Sequence, residues 1–376
     1  MNTNSIRPFL LPALLIPLAT ILSTSLQPVN DWLATHWALT YDLGFIKRGL
    51  TGSVFQGVIS SDIISIEGIT IAAYVIYFVL AGLLATYIVS AFRQDTFLAT
   101  LLVCSGFALQ QLGQDIGRFD QIVLILTLLS IIAIPKLSTT LIIVVTTTTA
   151  LLSLLIHEGS ALISIPVVFS ALTIYCITYQ KSLSIPIIYI VISMAIFFSI
   201  IIAGNAATIE QTQWFSYLQE KTSFNINMVS AGVPFTQLQS NVEYSLERLL
   251  TIKTGKRMAL LLLFCTPYLI ILYALIKTHS QGRPTSIRLL LLLPLLSTTP
   301  LYFLGVDYFR WVAIAMLNTL LIVVFFRHIS HAPAINLGIK SKIVLAITAL
   351  YTGPLGITVA LPDRALLLKT VVDLVN

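Results

Sequence analysis

The stretch that decides the fold is 68–92, GITIAAYVIYFVLAGLLATYIVSAF, which runs for 25 residues without a charged side chain. About 20 mostly apolar residues are enough for an α-helix to cross the hydrocarbon core of a bilayer, so this stretch predicts a membrane span. The whole chain has the same character, because 57% of its 376 residues are hydrophobic and only 10% are charged. Soluble domains carry about 25% charged residues. The composition therefore excludes a secreted enzyme, a cytosolic enzyme and a nucleic-acid binder.

Ten further apolar runs resemble this one, so the sequence predicts an all-α polytopic membrane protein with about eleven transmembrane helices in a single domain, 1–376. The predicted spans are 8–26, 68–92, 96–112, 121–135, 138–156, 160–178, 183–203, 258–277, 286–304, 309–326 and 343–361. We interpret the first span as retained rather than as a cleaved signal peptide, because its apolar run is long. The three cysteines lie singly in apolar runs, which makes a disulfide framework or a cysteine metal site improbable.

The distribution of basic residues predicts the orientation, since lysine and arginine concentrate in cytoplasmic loops. With the N-terminus in the cytoplasm, one face collects ten basic residues and a single acid, Asp95. The basic residues of that face are Arg7, Arg93, Lys136, Lys181, Lys277, Arg283, Arg288, Arg327, Lys340 and Lys342. After eleven spans the C-terminus is expected outside.

Two loops on the predicted outer face are long. We call 27–67 the first long loop and 204–257 the second long loop. The second contains IEQTQWFSYLQEK and NVEYSLERLLTIK, which read as short amphipathic helices lying on the membrane surface. Long outer loops can also serve only as lids or packing, and the sequence leaves that alternative open.

Four polar clusters are predicted at the outer face. They are Asp42 with Lys47 and Arg48, Arg118 with Asp120, His157 with Glu158, and Asp307 with Arg310. Charges near the hydrocarbon are costly unless they are paired or face a wet cavity, so each cluster is a candidate functional site. Because four separate parts of the chain bring them to one level of the membrane, we expect them to line one polar cavity.

Structural alternatives exist for each cluster. Asp307 and Arg310 are three residues apart and could bridge each other on one helix. Arg118 and Asp120 are two apart and cannot pair along one helix face, so they must take different partners. His36 is interpreted as an interface residue rather than as a ligand.

The other clusters have alternatives of the same kind. Lys47 and Arg48 could be interfacial anchors with buried stems. Asp42 could cap the helix that follows it. His157 and Glu158 could mark the end of a helix.

Arginines and an acid at a membrane surface suit transfer from a lipid phosphate. The guanidinium fork matches phosphate, and a carboxylate can remove the proton of an attacking hydroxyl. We expect Arg48, Arg118 and Arg310 to hold the donor phosphates. The remaining expected substrate-binding residues are Lys47, Asp120 and Asp307.

For the chemical step we expect Asp42 to act as the general base. Glu158 is the rival base, because His157 beside it could orient it or share its proton. We expect no cofactor and no metal site, because no ligand pair has suitable spacing, although the sequence leaves dependence on a divalent metal open.

The layout resembles the membrane-embedded glycosyltransferases of the GT-C class. Those enzymes carry a catalytic acid in the first outer loop, which Asp42 matches, and a second long outer loop after span seven. The resemblance implies transfer of a sugar from a polyprenyl-linked donor. Tyr41 and Leu43 flank Asp42, so the paired acids of some members are absent.

The segments DLGFIKRGL, GRFD, HEG and DYFRW also resemble those of bacterial O-antigen polymerases. That resemblance implies the assembly of a surface polysaccharide such as lipopolysaccharide O-antigen, on undecaprenyl pyrophosphate, at the outer face of the bacterial inner membrane. The expected partners are a polyprenyl-linked glycan and membrane lipid, and no nucleic acid.

The main alternative from another class is a lipid-linked oligosaccharide flippase or transporter, which would capture the pyrophosphate but need no general base.

Overall fold

The computed structural model describes residues 26–59, 63–205, 210–235, 238–305, 307–330 and 337–352, with five isolated positions (12, 13, 15, 19 and 355). It is all-helical, with no β-strand among the residues described. In chain order the helices are α1 (Asp31–Trp37), α2 (Gly49–Ile59), α3 (Ile66–Ala91), α4 (Thr96–Val103), α5 (Leu109–Gln114), α6 (Asp120–Ala133), α7 (Thr139–Ile156), α8 (Ser160–Ile163), α9 (Ile165–Thr178), α10 (Ser184–Asn205), α11 (Gln211–Lys221), α12 (Met228–Ala231), α13 (Leu238–Leu249), α14 (Ile252–His279), α15 (Thr285–Ser297), α16 (Leu301–Leu304), α17 (Tyr308–Ser330) and α18 (Ile339–Thr352).

Seven helical segments in the described part of the chain are long and apolar enough to cross a membrane. They are α3, α7, α8 with α9, α10, α14, α15 with α16, and α17. Each agrees with a predicted span to within a few residues, except that α14 starts at Ile252, inside the second long loop. The predicted span 121–135 corresponds to the shorter α6 and a 3₁₀ turn that follows it.

The remaining predicted spans differ from the structure or extend beyond it. The span 8–26 lies almost wholly outside the described residues, as does the second half of 343–361, whose first half is α18. The span 96–112 is not one helix. It breaks at 104–108 into α4 and α5, and these residues are buried or half-buried.

The break between α4 and α5 is stabilised by polar side chains. The hydroxyl of Tyr268 accepts a hydrogen bond from the Gly106 N–H at 3.1 Å, and the Gln110 amide donates to two backbone carbonyls at 2.7 and 2.9 Å. Irregular backbone away from water needs such partners. Apolar periodicity alone does not reveal them, which is why the sequence predicted a continuous span.

Polar side chains cap the N-termini of helices α1 and α3. The Asn30 side chain accepts from the Leu33 N–H at 3.0 Å at the start of α1, and the Ser65 hydroxyl accepts from the Gly68 N–H at 3.1 Å at the start of α3. Such caps satisfy backbone donors that have no partner within the helix.

Helix α17 is the centre of the bundle. Every side chain from Ala313 to Phe326 is buried, and α3, α9, α14 and α15 pack around it. By contrast, large apolar side chains stay exposed along α3, α10 and α14. They include Ile71, Val75, Ile187, Val191, Ile202, Leu263 and Ile270. Apolar surface on this scale indicates a protein that contacts lipid or a partner over its flanks.

Contacts between segments that are distant in the chain define two ends of the bundle. At one end the Lys342 ammonium pairs with the Asp95 carboxylate at 2.5 Å, and Arg327 donates to the carbonyl of Ala91 at 2.6 Å. We call this the basic end, because the described basic residues that were predicted as cytoplasmic lie in its connections or in the adjoining helix ends. The four polar clusters lie at the other end, which we call the site end.

The two long loops contact each other at the site end. The Ile64 N–H donates to the carbonyl of Lys221 at 2.8 Å, and the Ser223 N–H donates back to the carbonyl of Ile64 at 3.0 Å. The Asn227 N–H donates to the hydroxyl of Thr35 at 2.8 Å. The short helices predicted in the second long loop are present as α11 and α13, and α11 buries Trp214 and Leu218.

Candidate polar site at one end of the helix bundle

Two arginines and three aspartates form a continuous network at the site end. Arg118 pairs with Asp115 at 3.3 Å and with Asp307 at 3.2 Å. The same Asp307 oxygen accepts from Arg310 at 2.9 Å, and Arg310 also pairs with Asp120 at 2.5 Å. Arg118 and Asp120 therefore take different partners, as predicted, while the bridge between Asp307 and Arg310 also forms. Asp115 was not among the predicted site residues.

A second ion pair joins the first long loop to the end of α7. The guanidinium of Arg48 donates two hydrogen bonds to the Glu158 carboxylate, at 2.8 and 2.6 Å. This fork-to-fork geometry is the strongest arrangement for such a pair. Arg48 has a φ of +66°, a backbone conformation that is uncommon for a residue with a side chain. Beyond the interfacial anchor that the sequence leaves open, Arg48 thus has a specific partner in Glu158.

Burial and the neighbouring Arg48 set the charge states around this pair. The Arg48 guanidinium holds the pKa of Glu158 well below its usual range, against the effect of burial. Burial lowers the pKa of Lys47, whose stem lies against Gly204 at the end of α10. Glu158 is thus a firmly ionised partner for arginine and a weak proton acceptor.

His157 lies between the two sets of ion pairs. It terminates α7, as the helix-end interpretation expected, and its Nδ1 accepts from the Gly159 N–H at 2.9 Å. Burial, followed by the charge of Arg48, lowers the pKa of His157 to about 4. The ring is therefore neutral at pH 7, and with Nδ1 accepting, its proton sits on Nε2.

The glycine of the HEG segment is required by this geometry. A Cβ on residue 159 would lie 2.8 Å from both Cε1 and Nδ1 of His157. Gly159 thus allows the imidazole to fold back onto the backbone that follows it.

His36 is the residue that the sequence interpretation missed. It is buried on α1, packs edge-on against Trp32 at 4.7 Å between ring centroids, and its Nδ1 has no hydrogen-bond partner among the described residues. Burial, then the charges of Arg48 and Arg118, lower the pKa of His36 well below its usual value. The available signal was its four-residue spacing from Trp32, which places both on one face of α1.

Two tryptophans fix the first long loop against the GRFD segment. The guanidinium of Arg118 lies over the Trp32 ring at 4.6 Å, and the Trp37 indole donates to the carbonyl of Gly117 at 2.7 Å. This docking explains why α1 reaches the arginine network.

Asp42 occupies a different position from the other predicted residues. It is exposed, it accepts a short hydrogen bond from the Tyr217 hydroxyl of α11, and none of the ion pairs among the described residues includes it. It does not cap α2, which begins only at Gly49. Burial and the bond to Asp42 raise the pKa of Tyr217 to about 12. Asp42 therefore sits where the two long loops meet.

In the described part of the chain, no group of three His, Cys, Asp or Glu side chains is arranged to hold a metal ion. Comparisons with protein-family models, with curated proteins and with solved structures gave no match to this chain. Its function is therefore argued from its own geometry.

Proposed function

We propose that this chain is a membrane-embedded transferase that moves a sugar from a lipid-linked phosphate or pyrophosphate to a hydroxyl acceptor. One observation carries the proposal: Arg48, Arg118 and Arg310, from three distant segments, converge at one end of the bundle. Their side chains remain 18%, 17% and 12% exposed. Arginine is well suited to bind phosphate through its planar fork.

The carboxylates hold the arginines in position before the donor binds. Asp307 bridges Arg118 and Arg310 and is the most exposed acid of the ion pairs, at 39%. We infer that a donor phosphate displaces Asp307 and takes over its two guanidinium contacts. These preoriented donors then stabilise the charge that grows on the leaving phosphate.

Asp42 is the base that this arrangement favours. Glu158 is held by Arg48, whereas Asp42 is exposed to an acceptor and is oriented by Tyr217. Asp42 takes the proton of the acceptor hydroxyl, and the acceptor oxygen attacks the anomeric carbon. The bond from that carbon to the phosphate oxygen breaks, and the phosphate leaves with the electron pair.

The membrane context belongs to the same proposal. We infer a topology of eleven spans with a cytoplasmic N-terminus and an outer C-terminus, in which the site end would face the outside of a bacterial inner membrane. The basic residues at the opposite end support this orientation. A polyprenyl-linked glycan would be the donor, in the assembly or polymerisation of a surface polysaccharide of the O-antigen type.

The test compares Asp42→Asn with Glu158→Gln by glycan transfer in membranes. Loss of a placed base costs about 10²–10⁴ in rate, so Asp42→Asn is expected to abolish transfer while expression and donor binding persist. Asp31→Asn, at an exposed acid of the same loop, is the matched control and should stay active. Transfer by Asp42→Asn at the wild-type rate would overturn Asp42 as the base, and activity lost only in Glu158→Gln would move the base to the HEG segment.

A lipid-linked oligosaccharide flippase is the second candidate. The specific observation in its favour is that each of the three arginines is already paired with a carboxylate, as in a site that opens and closes around a passing headgroup. A flippase needs no base, so full lipid translocation by both Asp42→Asn and Glu158→Gln, without any transfer by the wild type, would favour it.

A further inference from the structure

An apolar groove opens beside the polar site. Its volume is about 230 Å³, and it lies between α2, α3, α6 and α7. Trp37, Ala72, Ile122 and Ile156 form part of its lining, which contains no charged residue. The polar groups of the lining are the Thr51 hydroxyl and the Trp37 indole N–H, which already donates a hydrogen bond to the Gly117 carbonyl.

The groove and the arginine site are built from adjoining segments of the chain. Leu50 in its lining follows Arg48 and Gly49, and Ile156 directly precedes His157 and Glu158. Each of these two lining residues is therefore within two positions of a member of the ion pair between Arg48 and Glu158. Lys47 and Arg48 carry two positive charges against the single negative charge of Glu158, and this excess of one positive charge complements an anionic headgroup.

The side of the groove formed by α2 remains open. Val54 and Val58, one turn apart on that helix, are 55% and 76% exposed although they line the groove. The opposite wall belongs to α3, which is long and apolar enough to span a membrane. A lipid chain thus has an apolar entry beside a charged end.

We propose that this groove holds the first segment of the hydrocarbon chain of the polyprenyl pyrophosphate donor, with the phosphate nearer the lipid at Arg48 and the second phosphate at Arg118 and Arg310. The inference rests on the proposed function, whose donor it describes further. A typical ligand pocket has a volume of about 300–1,000 Å³. The groove is smaller, so it takes part of one hydrocarbon chain and not a whole lipid. A lipid phosphate with a single chain has only that chain to place at the groove, whereas a diacyl phospholipid has a second chain to place.

The experiment uses the full chain in phosphatidylcholine nanodiscs and farnesyl phosphate carrying a photoreactive diazirine on its second isoprene unit. Labelled positions are read by mass spectrometry, and labelling is expected on α2 and α3 around Val54, Val58 and Ile76. The diazirine-bearing alcohol without phosphate should label these positions about tenfold less, because it lacks the contact with Arg48.

Ala72→Phe fills the groove from the α3 wall, and Val75→Phe adds an aromatic ring on an exposed face of the same helix. Ala72→Phe should lower labelling about tenfold or more, the change expected when one apolar group loses its burial, while Val75→Phe should leave it unchanged. Val54→Phe, at an exposed position of α2, repeats the test if thermal unfolding reveals that Ala72→Phe is misfolded.

Three results would overturn the groove assignment. The first is equal labelling of Ala72→Phe and Val75→Phe. The second is that phosphatidic acid competes with the label as effectively as unlabelled farnesyl phosphate does. The third is a change of oligomeric state in Ala72→Phe, which would assign the groove to a second copy of the chain. Labelling outside the groove with transfer still dependent on Asp42 would remove this inference alone. Labelling in the groove with no transfer activity would remove the proposed function alone.

Discussion

The imidazole of His157 is held by the residue two places after it. Its Nδ1 accepts the Gly159 N–H, and the missing side chain of Gly159 makes room for the ring. The ring is half-buried and close to the charge of Arg48, which opposes a second positive charge. A neutral imidazole with its proton on Nε2 is thus built into the turn between α7 and α8.

This histidine predicts how stability depends on pH. Its folded pKa of about 4 lies below the usual 6.5, so the unfolded chain binds an extra proton between these values. The stabilisation is complete above about pH 6.5 and is lost as the pH falls towards 4. Thermal unfolding in detergent should therefore occur at lower temperature at pH 5 than at pH 7, with a smaller difference in His157→Gln. His36 acts in the same direction, so the difference shrinks without vanishing. An identical pH effect in His157→Gln and wild type would contradict this account.

The sequence indicated which residue types matter at the site but not which of them meet. Arg48 and Glu158 are 110 residues apart, and Arg118 and Asp307 are 189 apart. Such partners follow from tertiary packing, which no local spacing encodes. The sequence predicted His36 to be an interface residue rather than a ligand, and the structure buries it close to the charges of Arg48 and Arg118.

Among the elements, α2 is positioned by a close backbone contact. A Cβ on Gly52 would lie 2.1 Å from the carbonyl oxygen of Leu39 and 2.7 Å from that of Trp37. Backbone atoms cannot move aside as a flexible side chain does. Gly52 therefore sets the distance between α2 and the end of α1, and with it the place of Arg48.

Two glycines on α2 allow the effect of this contact on stability to be measured separately from the effect of helix propensity. Gly52→Ala should destabilise the protein by about 1–3 kcal/mol, the usual range for overpacking. A Cβ on residue 57 would have no neighbouring atom within 4 Å, so Gly57→Ala should stabilise the helix by about 0.5–1 kcal/mol. Chemical or thermal unfolding in detergent measures both. Equal effects of the two substitutions would mean that α2 does not rest on the backbone at Leu39.

Helix boundaries were predictable where an apolar run ended at a cap or a charged loop, as at Ser65 for α3. They were not predictable at 104–108, where the chain leaves the helix inside an apolar run. There the side chains of Gln110 and Tyr268 replace helical hydrogen bonds, and α18 and α14 supply the surroundings. A pattern of hydrophobicity carries no information about such partners.

At the scale of the whole molecule, the charge asymmetry between the two ends predicts orientation in the membrane. A phosphatase fused after Lys181, in the connection from α9 to α10, should be inactive because it stays in the cytoplasm. A fusion after Glu220, in the second long loop, should be active. The reverse result would put the arginine site on the cytoplasmic face and contradict the outer location of the proposed reaction.

Binding of a lipid phosphate by the arginines of the site end can be observed directly in an electron cryo-microscopy map of the protein in nanodiscs with undecaprenyl phosphate. We expect phosphate density within hydrogen-bonding distance, about 2.7–3.2 Å, of the guanidinium groups of Arg48, Arg118 or Arg310, with Asp307 moved aside. Phosphate density at the basic end instead, beside Arg93 or Arg327, would contradict this expectation.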